Sequence, residues 1–119
     1  MPRLRGISMA AHFVYVVTPH RDAATDIARD LVEARLVACA NILDEMTSVY
    51  RWDGEIRQDQ ETVLILKTTQ QQVAAVVDRV CKIHPYDCPC VAAWPITAGH
   101  DNYLQWIERE TSSPSDSGD

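Results

Sequence analysis

The sequence predicts an α+β sandwich, with elements in the order β-α-β-β-α-β and one extra helix at the C-terminal end. Three observations carry that reading. Two stretches repeat their apolar residues at helical spacing; the stretches around them are short β-branched and aromatic runs; and the pair Asp53-Gly54 separates two of those runs as a tight turn does.

Taken in order, Phe13 to Val17 is a wholly apolar, β-rich run, which predicts a central strand covered on both faces. Ala24, Ile27, Ala28 and Leu31 recur at helical spacing opposite Asp26, Arg29, Asp30 and Glu33, so residues 21–36 are expected to form an amphipathic helix. Strand patterns follow at Cys39–Leu43, Ser48–Trp52 and Gln60–Thr68, with Asp44-Glu45-Met46 expected as a bulge. Asp53-Gly54 is expected as a type I′ turn, because both residues enter the positive-φ region readily. Val73, Val76, Val77, Val80 and His84 make a second helical stripe over residues 70–84, which Pro85 ends. Val91–Ile96 reads as the fourth strand, with Pro95 admissible only near an end or an edge. Asp101 is the expected N-cap of a last helix carrying Tyr103, Leu104, Trp106 and Ile107. This order is the split βαβ arrangement of ferredoxin-like domains, with both helices on one face and a long β2-β3 hairpin.

A chain of 119 residues fits one domain. Residues 1–11 are expected as a flexible N-terminal segment, 12–110 as the folded unit, and 111–119 as a disordered tail, since the tail has no apolar residue to offset its ordering entropy. A net charge of -6 with scattered basic residues excludes a nucleic-acid binder, whose affinity rests on clustered Lys and Arg. No apolar run approaches the ~20 residues of a membrane span, and the basic start lacks the apolar stretch of a signal peptide, so no membrane segment and a cytoplasmic location are expected. Cys39, Cys81, Cys88 and Cys90 do not have the spacing of a disulfide framework and are read as free thiols.

The hairpin carries an argument for assembly. Its first arm, from Ala40 to Trp52, spans roughly 40 Å, whereas a domain of this size has a radius of gyration near 13 Å and a diameter of roughly 35 Å. The ribbon therefore overhangs, and an unaccompanied two-stranded ribbon is only marginally stable. Tyr50 and Trp52 alternate onto one face near its tip. A second copy of the chain is the natural partner; the alternative is that both aromatics pack over the chain's own core.

Enzymatic readings fare worse, and no catalytic residue is assigned. The segment Thr18-Pro19-His20-Arg21 lacks the glycines of a phosphate-cradling loop, Cys88-Pro89-Cys90 is not the C-x-x-C of a thiol oxidoreductase, and no nucleophile elbow is present.

Five blocks resemble the CutA family of divalent-cation-tolerance proteins: Leu36 to Ile42, Ser48-Val49-Tyr50-Arg51-Trp52-Asp53-Gly54-Glu55-Ile56, Glu61 through Thr69, His84-Pro85-Tyr86-Asp87-Cys88-Pro89, and Tyr103 to Ile107. The resemblance implies a ferredoxin-like fold, a homotrimer that pairs long hairpins edge to edge, likeness to PII signalling proteins, and a role in copper and divalent-metal tolerance without catalysis. Animal relatives are associated with anchoring acetylcholinesterase at membranes. Position by position, Tyr50, Trp52 and Gly54 match the hairpin motif, with Tyr50 and Trp52 at the trimer interface. Trp52, Glu61, Lys67 and Tyr86 match an intersubunit cleft, and His84-Pro85-Tyr86 matches the helix-end motif. Two departures stand out. Members often continue as Pro-Tyr-Glu-x-Pro-Glu, whereas this chain has Asp87 and Cys90 at the two Glu positions. The first-strand cysteine and the histidine before His84 that some relatives use for metal are replaced by Val16-Val17 and Ile83.

Copper as Cu(I) prefers thiolate, and imidazole suits Cu(II) and zinc. The chain offers Cys81, His84, Cys88 and Cys90 within one short stretch, with Cys88 and Cys90 expected on one strand face. These four are the candidate metal ligands; no obligatory cofactor is expected, only copper or another divalent metal. The competing reading makes Cys81 a buried member of the helix stripe, Cys88 and Cys90 strand filling, and His84 a partner of backbone at the helix end. Cys39 is expected in the core, and His12, His20 and His100 in solvent without partners. A trimeric metal-responsive protein leads, and a PII-like module binding a small ligand or protein at the cleft is the alternative.

Overall fold

The computed structural model describes residues 10–111. Among these, β1 (Ala11–Thr18), β2 (Cys39–Trp52), β3 (Glu55–Thr69) and β4 (Cys90–Pro95) form an antiparallel sheet in the order β2-β3-β1-β4. Helices α1 (Arg21–Glu33), α2 (Val73–Ile83) and α3 (Asp101–Glu110) accompany it, and a 3-10 turn at Gln70–Gln72 leads into α2. The predicted βαββαβ order and the added C-terminal helix are both present.

Side chains alternate across each strand, so Val14 and Val16 of β1, Leu64 and Leu66 of β3, and Ala40 and Ile42 of β2 share one face. Against it lie Ala24, Ile27, Ala28 and Leu31 of α1 and Val76 and Val80 of α2, which completes the main core. The other face carries Phe13 and Tyr15 with Trp94 beside them, the rings of Phe13 and Trp94 meeting edge to face at 6.2 Å. Helices cover one face of β1; the second is only partly covered within one chain, with Trp94 43% exposed. A smaller cluster of Ala11, Ala38, Leu104 and Ile107 seats α3 at the end of the sheet away from the hairpin tip.

The hairpin turns at Asp53 (φ 53°) and Gly54 (φ 79°), the two positive φ values a type I′ turn demands. Glu45 (φ 60°) marks the expected bulge, where the β2–β3 register shifts between Leu43 and Met46. β1 pairs with β3 only from Thr62 to Thr69, so Met46–Trp52 and Glu55–Glu61 pair with each other alone. That ribbon stretches the molecule to 52 × 27 × 21 Å, with a radius of gyration of 15.7 Å. Trp52 is 54% and Tyr50 37% exposed, which overturns the reading that they pack over the chain's own core.

Several boundaries move for identifiable reasons. α1 stops at Glu33 because Arg35 adopts φ 60°, and the Arg35 and Leu36 amides donate to Val32 and Leu31 carbonyls, a Schellman closure with Arg where Gly is usual. β3 starts at Glu55 because pairing with β2 persists to the turn. β4 begins at Cys90, so Cys88 precedes the strand and the two thiols do not share a strand face as expected. Asp101 is the first helical residue of α3, and His100 holds the N-cap position. Ala11 pairs with Thr69 and Thr111 is buried, so both belong to the folded body; the remainder of the expected flexible ends, 1–9 and 112–119, lies outside the described residues.

Candidate functional site

Where β3 leaves the sheet, period-two alternation carries Glu61, Asp59 and Arg57 along the face away from the helices, opposite Met46, Ser48 and Tyr50 of β2. The α2–β4 connection crosses in front of them. Between the two lies a cleft of about 1030 Å³, bounded on the ribbon side by Tyr50, Trp52 and Glu61 and on the other by Tyr86, Cys88 and Cys90.

His84 braces that connection. Its Nε2–H donates to the Val17 carbonyl at 2.7 Å, since a carbonyl only accepts, and its Nδ1 accepts from the Tyr86 amide at 3.0 Å. The ring is 7% exposed and lies 4.9 Å from the Tyr86 ring. Both nitrogens are thus engaged within the chain.

Held in this way, Tyr86 donates its O–H to Glu61 Oε2 at 2.6 Å. Burial first, and then the hydrogen bond and charge of Glu61, push the Tyr86 phenol well above its ordinary value. Next along the ribbon, Tyr50 donates to Asp59, and that bond raises its phenol as well. Partial burial and the Glu61 carboxylate also raise the Cys90 thiol, which favours its protonated form.

The four candidate ligands do not converge. Cys88 and Cys90 are exposed and reach the cleft, whereas Cys81 is exposed on α2 outside its lining, contrary to its reading as a buried helix residue. Among the described residues no group of three or more His, Cys, Asp or Glu side chains is placed to hold a metal ion. Of the cleft residues, Trp52, Glu61 and Tyr86 come together, but Lys67 does not line the cleft. It sits further along the same face of β3, about 20 Å from Glu61. There Lys67 is 6% exposed, donates to Asn41 and to Cys39 Sγ at 3.5 Å, and lies 5.8 Å from the Phe13 ring centre. Cys39 is half-buried in this pocket and not in the main core.

Two histidines expected in solvent have partners: the His20 ring caps α1 by accepting from the Ala23 amide at 3.2 Å, and His12 Nδ1 lies 3.3 Å from the Ala10 carbonyl. Arg21 pairs with Asp44 at the mouth of a more polar recess that Glu45 and Glu61 also line, surroundings unsuited to a phosphate. Sequence reasoning did not single out Asp59, Arg57, Tyr15 or Met46 in the main cleft. Counting back from Glu61 in steps of two would have found the first pair.

Comparison with known proteins bears directly on this arrangement. The model of the family described as CutA1 divalent ion tolerance protein matches residues 12–110. The chain belongs to that family. It is 43% identical over 98 residues to the divalent-cation tolerance protein CutA of Thermus thermophilus, covering 82% of this chain and 95% of that one. The crystallised Thermus protein superposes with a TM-score of 0.83 at 41% identity, over 86% of this chain and 99% of its own. Protein CutA of Homo sapiens is 42% identical over 103 residues, which are 87% of this chain and 58% of the human one; the chain thus spans little more than half of that relative. An Archaeoglobus fulgidus structure (TM-score 0.83, 35% identity, 86% and 99% covered) is named as a periplasmic divalent cation tolerance protein, so membership does not carry the expected cytoplasmic location with it. No helix among the described residues is long and apolar enough to cross a membrane.

Proposed function

We propose that this CutA-family chain acts as a homotrimer in divalent-cation tolerance, binding copper through Cys88 and Cys90 without catalysing a reaction. The observation that carries the reading is that both thiols are exposed on the wall of one cleft, with Glu61 opposite them. Thiolates suit Cu(I), and a carboxylate in the same cleft extends the donor set toward divalent ions. His84 enters as the brace that aims Tyr86, because neither ring nitrogen is free, and Cys81 lies off the cleft. Two thiols from one chain leave a coordination shell to be completed, and a neighbouring copy docked along the ribbon would stand at the cleft mouth. The reducing cytoplasm, which keeps thiols free, is the compartment that fits such a site.

Equilibrium dialysis of the reduced protein against Cu(I), Cu(II) and Zn(II) tests this. Cys88→Ser/Cys90→Ser should lose the bound copper and Cys81→Ser should keep it; unchanged stoichiometry in the double variant removes the proposed ligands.

The PII-like reading, a small ligand in the same cleft, is favoured by the aromatic walls Trp52 and Tyr86 around a volume typical of ligand sites. A ligand selective for the folded assembly would raise its melting temperature, so a thermal-shift screen separates the two readings.

A further inference from the structure

Cys88 and Cys90 flank one proline at the point where an irregular connection becomes β4. The ladder of β1 with β4 ends at Val17 opposite Cys90, so no strand pairing fixes Cys88. Pro89 holds its own φ near -65°. Two residues of polyproline-like backbone at a ~3.1 Å rise span about 6.2 Å, inside the range of roughly 4.4–6.8 Å between Cα atoms that disulfides bridge. In a strand the spacing would be at the far end of that span. Both thiols are free and exposed on the same cleft. The other two cysteines are elsewhere: Cys39 is half-buried beside Lys67, and Cys81 is on α2.

We propose that Cys88 and Cys90 are a reversible redox-modification site, closing to an intramolecular disulfide that removes both thiols from the cleft. The oxidant is a low-molecular-weight disulfide such as oxidised glutathione. One cysteine thiolate attacks it, forming a mixed disulfide and releasing one glutathione thiol. The second cysteine then attacks the mixed disulfide at the protein sulfur, forming the Cys88–Cys90 bond and releasing the second glutathione thiol. The protein gives up two protons and two electrons, and the glutathione disulfide is reduced to two thiols. An exposed disulfide across so short a loop is of the labile, reducible kind. Its consequence, that copper uptake follows the surrounding thiol redox state, rests on the metal reading above; the disulfide itself does not.

The 119-residue chain is incubated with oxidised glutathione, alkylated, and examined by intact mass and peptide mapping, with Cu(I) dialysis run in parallel. The expected result is a peptide linked between Cys88 and Cys90, loss of two alkylation sites, return of both on adding reductant, and the same outcome in a Cys39→Ser/Cys81→Ser variant. In Cys90→Ser, Cys88 should instead retain a stable glutathione adduct. Separate adducts on both cysteines of the unaltered chain, or disulfides joining two copies, would overturn the proposal. Closure with undiminished Cu(I) binding would sink the metal reading while leaving the disulfide standing; Cu(I) binding with no closure does the reverse.

Discussion

Glu61 stands where the ribbon departs from the sheet, and its neighbours decide what its carboxylate can do. One oxygen accepts from the Tyr86 phenol, and the Cys90 thiol lies within its field. Because burial and Glu61 together raise Tyr86 in the folded chain, folding favours the protonated phenol. That contribution is present below the ordinary tyrosine value near pH ~10 and is lost as pH rises toward the higher folded value. Urea unfolding between neutral and strongly alkaline pH should therefore show a smaller alkaline loss in Tyr86→Phe than in the unaltered chain. Some slope will survive, since Tyr50 and Tyr103 are shifted the same way. Parallel losses in the two proteins would contradict the assignment. At this scale Trp52 was legible from its alternation with Tyr50 near the hairpin tip, whereas Tyr86 and Glu61 were reached only through family resemblance. That His84 bonds backbone at the helix end was the competing reading, and its Nδ1 bond from the Tyr86 amide agrees with it; its Nε2 partner, the Val17 carbonyl on β1, is remote in sequence, and no local pattern announces that bond.

The elements were more legible than their ends. Asp53-Gly54, the valine stripe of α2 and the apolar run of β1 each state their local geometry, because turn chemistry and periodicity are short-range signals. The ends depend on what the chain meets. Arg35 in a left-handed conformation ends α1, a position where sequence habit leads one to look for glycine. β4 slipped by one residue because its register is set by pairing with β1. These two turns give substitutions of opposite sign. Gly54→Ala places a Cβ at positive φ and should cost about 1–2 kcal/mol, whereas Arg35→Gly relieves the same kind of strain and should gain up to about 1 kcal/mol, the solvent-facing contacts of Arg35 with Glu110 being worth little. Urea midpoints at one fixed protein concentration measure both; equal shifts of the same sign would refute the backbone argument.

At the scale of the whole molecule, an extent of 52 Å against 27 and 21 Å describes a body with an arm. That arm bears Val49 and Ile56 on one face and Tyr50 and Trp52 on the other, while Phe13, Tyr15 and Trp94 lie on the incompletely covered face of the sheet. Exposed apolar area of this kind is normally taken up by another surface. Chain length alone made the overhang foreseeable, since a strand of known rise was compared with a domain of known radius. The joint placement of Lys67, Asn41 and Cys39 on that sheet face was not, because it depends on the β2–β3 register across the bulge. The central claim is that the arm is completed by sister copies. Light scattering coupled to size exclusion, with Trp fluorescence recorded on the same dilute sample, tests it most directly. The account predicts three copies of the 13.4 kDa chain and indole emission shifted to the blue. A folded single chain with fully hydrated tryptophan emission would contradict it.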